Sequence, residues 1–329
     1  MVTVAPRGWC AVDVSVVIPT FRRPHSLRRA LDSCAHQVRV PTAELVVVDN
    51  CPHASAREIV REVAPGIPFP VRYEHEPRAG VASARNAGVA AARGSLIAFL
   101  DDDNEAAPDW LASLVLAHAE SGADAVFGSV IAELEGQPPP NAELYLTAFQ
   151  RVLPEPPGPV RSRSVAKLGT GNALFAARAL GRAPFNPSLN FLGGEDTALI
   201  KRFVSERRRL FWAPNARVRE YVPVERANLK FLLKRRFSAG QVRTATCVLS
   251  PAANPADALR WMAVGAVQFG VFAALAAAAS VLDRSAANRF LCEAAGGLGK
   301  VLWMSPFRVQ RYPTARQRTV PPRDDAGGS

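Results

Sequence analysis

The chain lacks the marks of a disulfide scaffold, a zinc protein or a nucleic-acid binder. It has only five cysteines in 329 residues (Cys10, Cys34, Cys51, Cys247 and Cys292), an odd number, and no two stand in a C-x-x-C spacing. This excludes a disulfide framework and a cysteine-held zinc, and it fits thiols kept reduced in the cytosol. The histidines (His25, His36, His53, His75, His118) form no pair at metal-ligand spacing. The N-terminus has no basic stretch leading into an apolar core, so no signal peptide is expected and the main domain is placed in the cytosol. There is no internal repeat. Basic residues are not interleaved with aromatics as in single-strand nucleic-acid binding, so nucleic acid is not expected as a partner.

What is present is a chain that is 48% hydrophobic and 21% charged, long enough for one large domain plus an appendage. The net charge of +11 calls for an anionic partner. Much of the excess follows residue 200, in Arg207-Arg208-Arg209 and Lys234-Arg235-Arg236 beside apolar segments. That distribution favours a membrane surface over a nucleic-acid groove.

The first hundred residues alternate between short apolar runs and helical patterns. Strands are expected at 14–18, 44–48, 71–74 and 96–100, and helices near 26–36, 54–63 and 81–92. Such alternation predicts an α/β fold with a mostly parallel central sheet flanked by helices. Ligands of these sheets bind at the carboxyl ends of the strands, where Thr20, Asp49 and Asp101 to Asp103 fall. The Pro-rich excursion 137–160 reads as a binding loop or an irregular insertion. A further strand is expected at 172–177, a helix at 195–205 and a basic amphipathic helix at 226–249.

Residues 261–282 carry no charge, and Gln268 is the one strongly polar interruption. At ~1.5 Å per residue the stretch could cross a ~30 Å hydrocarbon layer. Spanning, interfacial and buried-core readings all remain open for it. Positive charges flank both sides, so orientation is not set by charge asymmetry. From about Pro313 the chain is polar and Pro/Gly-containing, which predicts a disordered tail over 312–329.

Leu96-Ile97-Ala98-Phe99-Leu100 delivers three consecutive carboxylates, Asp101, Asp102 and Asp103, at a strand end. Carboxylates this close repel one another and call for a compensating cation. Oxygen-only ligands suit Mg²⁺ or Mn²⁺ holding a diphosphate. The alternative is a solvated acidic turn.

The runs Val14 to Arg23, Val46-Val47-Val48-Asp49-Asn50, Ala84-Arg85-Asn86-Ala87-Gly88 and Phe99 to Asp103 together resemble the family 2 inverting glycosyltransferases. These have the A-type nucleotide-sugar transferase fold. The resemblance continues through Gly169-Thr170-Gly171-Asn172, Gly193-Gly194-Glu195-Asp196-Thr197 and Arg235-Arg236-Phe237-Ser238-Ala239-Gly240. It covers about residues 13–245 in the family's order and spacing.

That resemblance implies a catalytic domain over 1–225, with a basic helix and membrane-associated helices over 226–311. Pro19, Thr20, Phe21, Arg22, Asp49, Arg85 and Asn86 would face the nucleotide donor, with Asp101 and Asp102 beside them. Asp103 would be the direct ligand of Mn²⁺ or Mg²⁺, with Asp101 next to it and Asp102 directed at the ribose. Asp196 would be the base that takes the acceptor's proton, supported by Glu195. Gly171, Asn172, Arg235 and Arg236 would meet the acceptor or a pyrophosphate.

The implied reaction moves a sugar from a nucleoside-diphosphate donor, UDP-linked by preference, to a lipid-linked or surface-polysaccharide hydroxyl. It would take place at the cytoplasmic face of a bacterial cell membrane. A polyprenyl-phosphate sugar transferase and a catalytically inactive membrane scaffold are the alternatives.

Overall fold

The computed structural model describes residues 13–39, 41–249, 254–304 and 306–309. Cys10 and the expected tail at 312–329 lie outside them. The N-terminal half alternates β1 (Val14–Thr20), α1 (Pro24–Ala35), β2 (Ala43–Asp49), α2 (Arg57–Val63), β3 (Val71–His75), α3 (Val81–Ala91) and β4 (Leu96–Leu100). The β-branched runs of β1 and β2 are buried along their whole length. This is what a parallel sheet covered by helices on both faces requires.

After β4 come β5 (Asn104–Ala106), α4 (Trp110–Ser121), β6 (Ala125–Glu135), α5 (Ala142–Leu146), β7 (Gly158–Pro159), β8 (Asn172–Ala176) and α6 (Ala177–Leu180). They are followed by α7 (Glu195–Ser205), β9 (Leu210–Pro223), α8 (Leu229–Leu249), α9 (Pro255–Ala279) and α10 (Arg284–Val301).

The strands lie in the order β3-β2-β1-β4-β8-β6-β9-β5, with β7 on β9. The α/β class holds, and the sheet is mixed where a mostly parallel one was expected. β3-β2-β1-β4 is parallel, whereas β8 runs antiparallel to both β4 and β6, and β5 and β7 run antiparallel to β9. The cause is the connection: β8 arrives from the Pro-rich excursion and not through a crossover helix, so nothing compels it to run parallel to β4.

Strand alternation divides the core into two layers. Val14, Val16 and Ile18 of β1 pack with Leu27 and Leu31 of α1 and Trp110 of α4. Val17, Phe99, Phe127, Phe175 and Phe203 fill the opposite face. There Phe175 meets Phe99, Phe127 and Phe203 edge to face, at centroid distances of 6.0, 5.8 and 5.6 Å.

The helix expected at 226–249 is α8, but it is no surface amphipathic helix. Ser238, Gln241 and Thr244 are buried among its apolar residues. Gln241 Nε2 donates to the carbonyls of Leu302 and Phe307, and the Thr244 hydroxyl donates to that of Lys300. Val242 and Ala245 pack on Leu189, Leu192 and Ala198. The polar residues are there to join α8 to α10.

α9 is the one described helix long and apolar enough to cross a membrane, and only 11% of its most apolar stretch is covered by protein. The buried-core reading of 261–282 is thereby overturned. The helix begins earlier than expected, with Asn254 capping its start, and ends at Ala279, leaving Val281 and Leu282 in the turn before α10.

Candidate active site

The carboxyl ends of β1 and β4 and the first turns of α3 and α7 open into one cleft of about 530 Å³, closed on its far side by α8. Its floor is the acidic turn after β4. Asp101 N–H donates to the Gly171 carbonyl at 3.1 Å, and Asn104 N–H closes the turn on the Asp101 carbonyl. Asp102 is turned inward: Oδ2 accepts from the Thr20 hydroxyl at 2.8 Å and from Phe21 N–H at 3.4 Å, and Oδ1 accepts from Arg23 at 3.1 Å. Burial pushes its carboxyl up to about 6, with Arg23 pulling the other way. Asp102 therefore anchors the turn, and its carboxylate is occupied where a ribose contact was expected.

Asp103 Oδ2 accepts from the same Arg23 nitrogen at 2.7 Å, and Asp101 Oδ1 accepts from Arg85 at 2.9 Å. The other arm of Arg85 reaches Glu195 Oε1 at 2.5 Å. One guanidinium thus joins the β4 turn to the first turn of α7. That turn follows Gly193 and Gly194, whose φ of +78° and +90° lie where side-chain-bearing residues are rare. Asp196, the next residue, lines the cleft while its Oδ1 accepts from Thr197 N–H.

The wall facing the acids is basic: Arg151, Arg226, Lys234 and Arg235 line it together with Phe231. Arg235 Nε donates to the Ala148 carbonyl at 3.0 Å, and its guanidinium lies 4.3 Å from the Phe149 ring centroid. Glu220 lies below this wall. Burial and the charges of Asp103 and Asp101 push its carboxyl up to about 7, against Arg151 and Arg235.

Of the expected residues, Pro19, Thr20, Phe21, Arg85, Asp101, Asp102, Asp103, Gly171, Glu195, Asp196 and Arg235 all line this cleft. Arg22, Asp49, Asn86, Asn172 and Arg236 do not. Arg22 has φ +53° and is exposed, over the Phe21 ring, and the turn sends Arg23 inward in its place.

Asp49 is fully buried. It accepts from Cys51 N–H, Ala56 N–H and the Tyr73 hydroxyl, so it holds the turn after β2 and does not face a nucleoside. Asn86 clamps the backbone N–H and carbonyl of Phe185. Asn172 accepts from Trp110 Nε1 and donates to the carbonyls of Ser129 and Ala216, pinning β8 to its neighbours. Arg236 is a helical step round from Arg235, on the side of Cys292, where its charge opposes the burial that raises that thiol.

Sequence reasoning missed Arg23, Arg151 and Glu220. Arg151 belongs to the Pro-rich excursion, which contributes a residue to the cleft at that point. Glu220 had a signal: on β9 it shares the inward register with the buried Val218 and Val222.

Asp101, Asp103 and Glu220 are hard oxygen donors whose mutual repulsion suits a divalent cation. Among the described residues no group of three or more acids, histidines or cysteines could hold a metal ion unaided. Asp101 and Asp103 are oxygen donors of the kind Mg²⁺ or Mn²⁺ takes, so such an ion would need further oxygens from a bound ligand.

The family model described as Glycosyl transferase family 2 matches residues 15–151. Succinoglycan biosynthesis protein ExoM of Rhizobium meliloti (strain 1021) is 36% identical over 245 residues, which cover 72% of this chain and 75% of that protein. Validoxylamine A glucosyltransferase of Streptomyces hygroscopicus subsp. limoneus is 36% identical over 107 residues, 32% of this chain and 24% of that protein.

Two solved structures are similar in fold. Mannosyltransferase PcManGT from Pyrobaculum calidifontis, in complex with GDP-Man and Mn²⁺, has a TM-score of 0.56 at 20% identity, covering 88% of this chain and 87% of that one. S. aureus TarS 1-349 in complex with UDP has a TM-score of 0.54 at 15% identity, covering 88% and 90%.

Proposed function

The chain belongs to glycosyl transferase family 2 and has the A-type α/β fold of such transferases, and from that premise we propose an inverting sugar transfer. The donor is a nucleoside-diphosphate sugar, UDP-linked, and the acceptor is a hydroxyl of a lipid-linked or surface-polysaccharide chain at the cytoplasmic face of the membrane. One observation carries this reading: the strand-end acids Asp101 and Asp103 and the helix-start acid Asp196 share a single cleft. ExoM's role in succinoglycan biosynthesis supports a polysaccharide acceptor, and the UDP complex of TarS supports a uridine donor.

Asp196 accepts the proton of the acceptor hydroxyl as that oxygen bonds to the anomeric carbon. The bond from that carbon to the diphosphate breaks on the opposite face, which inverts the centre. Glu195 does not touch the reacting atoms in this scheme. Its ion pair with Arg85 fixes the first turn of α7 and so aims Asp196. Asp103 and Asp101 would hold Mg²⁺ or Mn²⁺, which when bound offsets the charge building on the departing diphosphate. Arg235, with Arg151, Arg226 and Lys234, presents a cationic wall suited to phosphate oxygens, of the donor or of a lipid-linked acceptor.

The test is a thermal-shift panel of UDP-, GDP- and TDP-sugars with Mn²⁺, followed by transfer assays on lipid-linked oligosaccharide. A rise in melting temperature with a UDP-sugar, and transfer with inverted linkage, is expected. A retained anomeric configuration, or stabilisation by no nucleotide sugar, would overturn the proposal.

A further inference from the structure

The C-terminal helices form a hairpin whose outer surface no part of the described protein covers. α9 and α10 run antiparallel, with Gly265 against Gly297 and Phe272 against Phe290. Gln268 of α9 donates to the Glu293 carbonyl, and Lys300 donates back to Gln268. On its inner side α10 crosses α8 so closely that a Cβ at Gly299 would stand 2.0 Å from the Phe237 carbonyl oxygen. α9 lies mainly on α10 and also meets α8, where the Arg243 guanidinium stands 4.7 Å from the Trp261 ring centroid.

The outward surface of α9 includes Leu259 (69% exposed), Val264, Val267 (67% exposed), Val271 and Leu275. Val281 and Leu282 in the turn beyond it are 84% and 90% exposed. A continuous apolar face of this extent needs a covering partner. Its borders are net basic, three arginines against two aspartates: Arg260 with Asp257 near the start of α9, and Arg284 and Arg289 with Asp283 at the start of α10, where Arg289 pairs with Asp283 at 3.9 Å. An apolar strip bordered by arginines matches the interface of an anionic bilayer, acyl chains below and phosphates beside.

We infer that α9 lies in the plane of the membrane interface, on the side from which the domain approaches, and does not cross. If α9 crossed, its paired partner would follow. α10 would then bring Arg284, Arg289, Glu293 and Lys300 into hydrocarbon, where charged groups are strongly disfavoured. Pulling α9 away from α10 would instead strand Gln268 and open the glycine contacts. This inference deepens the membrane siting proposed above and rests on it.

The seating also explains a second arrangement. Val309, beyond α10, lines the cleft, and its N–H donates to Gln241 of α8. Half-exposed Phe307 precedes it. The segment after α10 thus joins the outer helices to the cleft alongside α8.

Two measurements on the full chain test this. In flotation with vesicles of phosphatidylglycerol and phosphatidylethanolamine (about 3:7), the chain is expected to rise with lipid, and Val267→Glu with Val271→Glu to cut the bound fraction about tenfold. The wild type failing to float would overturn the membrane reading itself. An α9 face closed by a second copy, seen as a lipid-independent dimer that Val267→Glu dissociates, would overturn it too.

In the second measurement, Ala256→Cys and Ser280→Cys are labelled with an impermeant maleimide in sealed inverted vesicles and in spheroplasts, against wild-type background. Both positions reacting from the cytoplasmic side alone is the expected result. Labelling of Ser280→Cys from the opposite side only, with flotation intact, would leave membrane binding standing and overturn the in-plane placement.

Discussion

Arg85 and Glu195 meet at 2.5 Å although 110 positions separate them, and both side chains are less than a tenth exposed. The pair is what makes the acidic turn after β4 and the start of α7 parts of one site. Removing one partner of a buried pair leaves an uncompensated charge, at a cost of about 3–5 kcal/mol. Arg85→Ala is therefore expected to lower stability by that order in urea unfolding and to abolish turnover. Arg85→Ala with Glu195→Gln should recover a large part of the stability but not the activity.

Asp196→Asn keeps the shape of the side chain and removes its basicity. The expected result is a fall in kcat of about 10²–10⁴-fold with nucleotide affinity unchanged. Isothermal titration with UDP beside a transfer assay separates the two.

Asp103→Ala should erase the part of UDP stabilisation that depends on Mn²⁺, read as the difference in Tm with and without the ion. The wild type in excess chelator should behave in the same way. Full turnover under chelation would count against a metal role.

Gly171→Ala tests a packing constraint. A Cβ there would lie 2.0 Å from Asp101 Oδ2, so the carboxylate must move. A displacement of about 1 Å in a reacting site can cost about 10²-fold in rate. A loss of that size in kcat/KM is expected, with a nearly unchanged melting temperature.

Glu220 supplies a pH signature. Its carboxyl holds its proton up to about 7 in the folded state and to an ordinary carboxylate value when unfolded. The folded form thus binds the extra proton between those values, and the ligand-free protein loses stability as pH rises towards 7. Glu220→Gln should raise the melting temperature at pH 8 and leave it nearly unchanged below pH 4.

The parallel half of the sheet was readable because β-branched runs of strand length recur between helical patterns, and α7 begins at Glu195 as expected. The cleft acids were readable because strand ends place side chains where ligands bind. The mismatches have a common physical cause. Asp49, Asn86 and Asn172 stand in motif positions, but what a polar side chain does is decided by which backbone groups it can reach, and each found two.

Whether Arg22 or Arg23 enters the site depends on a single left-handed residue in the turn. Glu220 and Arg151 are brought in by distant pairing, β6 with β9 and Val130 with Arg151, which no local pattern encodes.

α8 is a single helix of 21 residues, about 30 Å long. Phe231, Lys234, Arg235 and Ser238 on its first half wall the cleft, and Phe237 and Gly240, at the same level, pack against α10, so the cleft wall and the outer helices move as one body. If α9 sits on lipid as inferred above, any change in how α10 seats on α8 would tilt the cleft relative to the bilayer and alter which acceptors reach Asp196.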